Sequence, residues 1–273
     1  MAKQLLPDEL WREIEPLLPP HPPRTSKGGR PPVDDRDALR GILFVLRTGT
    51  PWQTLPTEAF GVSGSSCWRR FDEWTAAGVW PGIARAAAEP PGQGRRREPR
   101  PRRGRQPVGA CRQRGGEHTG PNPTDRGKEG CKRHVLTEAD GVPLVVRTTP
   151  ANVNDETQLP ALLGAIPPVR GPRGRPRRKP GSVFGDRAYG TAATIALMLV
   201  LGIFSFLAPR GEKGHGSGLG LFRYVVERTL ACFSHFRRLR MCYERSGEHF
   251  QAFHELAACC LVVTRLRHYE LQF

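Results

Sequence analysis

Through the first eighty positions apolar residues recur at intervals of three and four, the period of a helix with one buried stripe. Leu10, Trp11, Ile14, Leu17 and Leu18 share one such face behind Asp8, which can cap the segment, and Pro16 shortens or kinks it. Asp34 or Asp35 opens a stronger helix striped by Leu39, Ile42, Leu43 and Leu46, and Gly49 ends it. Ser65 or Ser66 opens a third, carrying Trp68, Phe71 and Trp74 and closed by Gly78. The proline- and glycine-rich run from Pro19 to Pro32 reads as a linker or an arm that could track DNA.

From Lys132 the period changes. Val135 and Leu136 lead through the turn Ala139-Asp140-Gly141 into Val142-Pro143-Leu144-Val145-Val146, which predicts two antiparallel strands. A helix over Asp155 to Ile166 follows, then a basic, proline-rich loop from Pro167 to Pro180 that suits either a solvated linker or a phosphate-backbone contact. The pattern then predicts a strand ending at Asp186, a helix from Thr191 to Leu201 and a strand from Ile203 to Leu207. Two long helices, Leu221 to Arg245 and His249 to His268, complete it. Strands, then alternating helix and strand, then helices describe a mixed α/β domain behind a helical module. Three short helices with Arg69 and Arg70 suit a helix-turn-helix-like unit or a plain bundle packed on the second domain.

Charge narrows the partner. The formal net charge is +16 and the pI near 10.4, which favours a polyanion, nucleic acid first, because each Lys or Arg on a phosphate releases counterions. Seven cysteines without a C-x-x-C pair read as reduced, structural thiols of a cytoplasmic protein. No secretory signal is expected at Met1, and the apolar stretch Ile195 to Ala208 is shorter than the ~20 residues of a membrane span.

The candidate chemistry lies in two carboxylates. Asp186 leaves a short apolar run, Ser182-Val183-Phe184-Gly185, and Glu227 sits in Tyr224-Val225-Val226-Glu227-Arg228-Thr229 with Arg223 one turn earlier. Two acids on separate elements can share a divalent cation while arginine grips a phosphate.

These residues, together with Gly116-Glu117-His118-Thr119-Gly120-Pro121 and Phe236-Arg237-Arg238-Leu239-Arg240, resemble the bacterial insertion-sequence transposases of the DDE class. Trp11, Gly29-Arg30-Pro31, Arg47-Thr48-Gly49-Thr50-Pro51-Trp52 and Cys67-Trp68-Arg69-Arg70-Phe71 resemble the N-terminal domain of that family. The resemblance implies a ribonuclease-H-like core holding two divalent metal ions, normally Mg, on three carboxylates. Asp186 would be the second and Glu227 the third, with Arg223, Arg228, Arg237 and Arg238 at helical spacings around Glu227 as DNA contacts. It also implies DNA partners, both transposon ends and target, a homo-oligomer on paired ends, no membrane, and a place in the bacterial cytoplasm at the nucleoid.

One segment departs from the family. Between Ala84 and Arg114 arginine stands at ten positions against Glu89 and Glu98, half the net charge, and no packed element is legible. The family expects a helix here and a strand ending in the first catalytic Asp; the stretch contains no Asp. Read one nucleotide later, codons for Arg103-Gly104-Arg105 include Val-Val-Asp, so a pair of compensating frameshifts would account for the loss; an arginine-rich insertion or programmed frameshifting are the alternatives. Asp125, Asp140 and Asp155 are the candidates to replace the missing acid. The expected organisation is a helical N-terminal domain over 1–83, the aberrant segment over 84–114, and a catalytic domain over 115–273. A transposase impaired in cleavage, a non-catalytic DNA-binding remnant or repressor, and a metal-dependent nuclease of the same fold all remain consistent with it.

Overall fold

The computed structural model describes residues 5–21, 31–82, 102–105, 109–110, 118–168, 178–185, 187–207 and 219–270. The N-terminal helices are α1 (Asp8–Ile14), α2 (Asp35–Thr48), α3 (Thr57–Phe60) and α4 (Gly64–Ala76). Pro7, not Asp8, is the N-cap of α1, and Asp8 instead pairs with Arg36 of α2. As Pro16 requires, α1 stops at Ile14 and passes into a 3-10 turn, Glu15–Leu17. Asp34 caps α2 by accepting from the Asp37 N–H, and Gly49 ends it in the left-handed region at φ 73°. The cap of α4 falls at Ser63, two residues before the serines read from the sequence. Gly64 explains the offset: a Cβ there would lie 1.7 Å from the Trp52 carbonyl oxygen, so the helix must begin on a glycine where it crosses the Trp52 turn.

The second region is built on one mixed sheet. Its strands are β1 (Arg102–Arg105), β2 (Gly109–Ala110), β3 (Gly120–Pro121), β4 (Glu129–Thr137), β5 (Pro143–Pro150), β6 (Ser182–Gly185) and β7 (Phe204–Leu207). The long strands run in the order β5-β4-β1-β6-β7. β4 is antiparallel to both neighbours, while β1, β6 and β7 are mutually parallel; β2 and β3 are short additions to β4. The expected hairpin is present, turning through Gly141 at φ 81°. Helices α5 (Leu159–Gly164), α6 (Ala192–Val200), α7 (Leu219–Phe233) and α8 (Gly247–Glu270) complete the fold.

Two expectations need correction. The arginine-rich segment was expected to leave an inner strand missing, yet Arg102–Arg105 fills that position between β4 and β6. The reason is that a ladder is made by backbone groups: β4 and β6 each present a row of donors and acceptors that some strand must satisfy, and side-chain identity is secondary. The helix expected from Leu221 to Arg245 stops at Phe233. Phe236 turns into the core there, and Arg240 Nε donates to the Ser234 carbonyl left open at the helix end.

Alternation along β4 sorts the core into two layers. Val135 faces a large cluster shared by α2, α4, α7 and α8, and Leu136 faces a smaller one under α5 and α6 that includes Val183, Tyr189, Met198 and Leu207. The large cluster contains both N-terminal residues, such as Leu43 and Trp74, and C-terminal ones, such as Phe233 and Leu256. Phe71 of α4 stacks on Phe253 of α8 at 4.3 Å, and Trp52 lies 5.9 Å from the same ring. The N-terminal helices are therefore one layer of a common core.

Candidate functional site

β6 ends at Gly185, the residue before Asp186. Gly185 is tightly held, since a Cβ there would stand 2.7 Å from Leu207 Cδ2. Beyond it a 3-10 turn, Arg187–Tyr189, buries Tyr189, and Thr191 caps α6 through the Thr194 N–H. Asp186 itself lies outside the described residues, as does the side chain of Arg223. Glu227 is on α7, which packs across β1 and β6 and so brings its helix to the strand that leads into Asp186. Val226, Thr229, Leu230 and Phe233 form the buried face of α7, and Thr229 Oγ1 donates to the Gly141 carbonyl at 2.6 Å. Glu227 and Arg228 are exposed on the opposite side.

The four arginines expected around Glu227 separate. Arg237 is exposed, but it follows α7 in a 3-10 turn, Arg237–Leu239, and is off the helical face of Glu227. Arg238 is buried: its Nε donates to Glu244 Oε1 at 2.7 Å, its Nη1 reaches the Thr50 carbonyl at 3.4 Å, and its guanidinium lies over the Tyr243, Phe253 and Trp52 rings. It ties the C-terminal turn to the N-terminal helices and is not placed to meet a phosphate. Arg70 is likewise buried, bonded to Asp35 from α4, while its neighbours Trp68 and Arg69 are exposed.

The acids considered as substitutes for the first carboxylate are otherwise engaged or remote. Asp125 sits in an exposed turn with Lys128 at 3.5 Å, and Asp140 is exposed in the β4–β5 turn. Asp155 is buried at the start of a 3-10 turn, Asp155–Gln158, where Lys132 Nζ lies 3.2 Å from it. Among the described residues no three His, Cys, Asp or Glu side chains come together in a metal-holding group. The strand between β4 and β6 reads Arg-Arg-Gly-Arg and brings no carboxylate of its own.

A separate cavity of about 300 Å³ opens along the outer edge of β5, lined by His118, Arg147, Thr148, Gln251 and Glu255 with apolar walls from Leu144 and Ala258. A hydrogen-bonded chain crosses it, from His118 Nδ1 to Thr148 Oγ1, then to Gln251 and on to Glu255. Burial pushes the Glu255 carboxyl up to about 7, although the Gln251 hydrogen bond and the Arg147 charge act the other way. Cys67, Cys131, Cys242, Cys259 and Cys260 are buried thiols that take part in no disulfide, and burial drives the Cys67 thiol to about 12 and Cys260 to about 11. Among the described residues no helix is long and apolar enough to cross a membrane.

Comparison with known proteins agrees with this layout. Residues 6–84 match the family model described as "Putative transposase of IS4/5 family", and residues 105–216 match the family model "Transposase DDE domain". The chain belongs to the insertion-sequence transposases of the DDE class. It is 48% identical over 149 residues to the "Putative transposase for insertion sequence element IS402" of Burkholderia cepacia, covering 55% of this chain and 70% of that one. A second relative, the "Insertion element IS402 uncharacterized 16.2 kDa protein" of Burkholderia cepacia, is 59% identical over 81 residues, covering 29% of this chain and 55% of that protein. No solved structure matches. The two family matches leave out 85–104, which contains three of the four residues of β1.

Proposed function

We propose that this chain binds the ends of its insertion element as a transposase does but is impaired in cutting them. A DDE domain implies dependence on divalent metal. The strand order β5-β4-β1-β6-β7, with only β4 reversed, supports a ribonuclease-H-like core. In such a core Asp186 and Glu227 would supply two metal-binding carboxylates, and the inner strand β1 would supply the third. Arg228 and Arg237 would contact the phosphate backbone, with the exposed Arg69 and Trp68 of the helix-turn-helix-like unit on α4 as a second contact region. Self-association on paired ends and a place in the cytoplasm belong to the same reading by analogy with the family.

The observation that carries the impairment is the inner strand. Arg102 pairs with Phe184 in parallel register, and Gly104 lies two residues beyond Arg102 as Asp186 lies two beyond Phe184. A carboxylate at position 104 would complete the set. The shifted reading Val-Val-Asp of Arg103-Gly104-Arg105 puts an Asp on the triplet of Arg105, one position on, and family likeness lapses over 85–104. A frameshifted copy explains both. The same strand favours the second reading, a DNA-binding remnant that occupies element ends and blocks active copies, because its sequence adds three cations and no carboxylate.

The test is to resequence codons 84–114, then compare the chain as written with a frame-restored version on DNA carrying the element ends, with and without Mg. The expected result is end binding by both and cleavage followed by strand joining only by the restored form. Cleavage by the chain as written would overturn the impairment, and cleavage without joining by the restored form would favour a nuclease. In the restored form Asp186→Asn and Glu227→Gln should each abolish cleavage while leaving end binding intact.

A further inference from the structure

The two edges of the sheet are finished differently. At β5 the outer backbone groups of Val146 and Thr148 are taken by the Gln251 side chain. At the opposite edge β7 carries Phe204 and Phe206, 76% and 52% exposed. The Phe206 ring stacks on Phe184 of β6, with centroids 4.5 Å apart and planes 6° from parallel. Ser182 pairs with Phe204 and Phe184 with Phe206, so the three rings share one face of the sheet. The other face of the same strands buries Val183 and Leu207 under α6. Cations flank the rings: Lys179 and Arg178 are exposed just before β6, and the Lys179 ammonium lies beside Gly202 at the entrance to β7.

Flat rings at the uncovered margin of a sheet face, beyond the part over β1 and β6 that α7 covers, with cations nearby are suited to unpaired nucleotides, whose bases stack and whose phosphates meet the cations. A second copy of a chain with net charge +16 is repelled from this margin, whereas DNA is drawn to it. We propose that Phe184, Phe204 and Phe206 form a stacking platform for unpaired bases of the DNA on which this protein acts, with Lys179 and Arg178 on the adjoining phosphates. The proposal rests on the transposase reading above. Phe184 is one residue from the end of the strand that leads to Asp186, so a base held there is next to the reacting end.

The test uses the full chain with a single-stranded oligonucleotide containing 2-aminopurine and with the duplex of the same sequence. Binding should quench the 2-aminopurine as it stacks. Phe204→Ala and Phe206→Ala should each weaken single-strand binding about tenfold and relieve the quenching, while duplex affinity and its salt slope stay unchanged. Phe206→Tyr, which keeps the ring, should behave as the parent. Wild-type chain that fails to bind duplex would sink the transposase reading itself. If duplex binds but both alanine variants hold single strands as tightly as the parent, the platform is overturned. It is equally overturned if the variants convert a DNA-free dimer to monomer in sedimentation, since the face would then be a contact between copies.

Discussion

Arg238 holds its guanidinium between Glu244 and three aromatic rings, with both members of the ion pair 7% exposed, whereas Arg237 faces solvent one residue earlier. Truncating Arg238 to Ala leaves Glu244 buried without its cation, at a cost of roughly 3–5 kcal/mol in urea denaturation. Truncating Arg237 should change stability by no more than about 0.5 kcal/mol and lower the salt slope of DNA binding by about one. The opposite pattern would reverse the two assignments. Glu255 supplies a second residue-scale prediction. Its folded carboxyl titrates near 7, above its ordinary 4.5, so the folded chain binds more protons between those values and stability falls as pH rises through them. The loss is roughly 3 kcal/mol at about 1.4 kcal/mol per pH unit. His254, buried and held well below its ordinary value, destabilises in the other direction as pH falls through 6.5. Comparing the parent with Glu255→Gln at matched pH cancels the histidine: the variant should gain steadily from pH 4.5 to 7.5, and parallel curves would refute the shift.

At the scale of elements, the edge of β5 is closed by a side chain. Gln251 Nε2 donates to the Val146 carbonyl at 2.7 Å and its Oε1 accepts the Thr148 N–H at 2.8 Å, so the amide stands in for a neighbouring strand. Gln251→Ala should cost about 1–3 kcal/mol for the orphaned groups and produce concentration-dependent association visible by light scattering. Unchanged melting and a monodisperse variant would show the cap to be dispensable. Elements whose side chains carry their own pattern were legible in advance: α2 between Asp34 and Gly49, the β4–β5 hairpin, and α6 behind Thr191. β1 was not, because Arg-Arg-Gly-Arg has no alternation and its place comes from the backbone needs of β4 and β6. The end of α7 was hidden for a related reason: helical spacing continues through Arg237 and Arg238, while the burial of Phe236 and the Arg238 contacts to Glu244 and to Thr50, far along the chain, take these residues off the helix.

For the whole molecule, the family was readable from its motifs, while the joining of the two regions was not. Sequence suggests a boundary near residue 83, yet the Trp52, Phe71 and Phe253 rings close one core across it, and nothing in local spacing announces a contact between positions 71 and 253. If, as proposed, the N-terminal helices bind DNA and a frame-restored sheet cuts it, that shared core removes the hinge between them. The distance from a recognised base pair to the cut phosphate then becomes a fixed dimension of the protein, like the gap of a calliper. An insertion element recognised by such a protein can drift in the sequence between the two points, but a single added or lost base pair would carry its cleavage site out of reach.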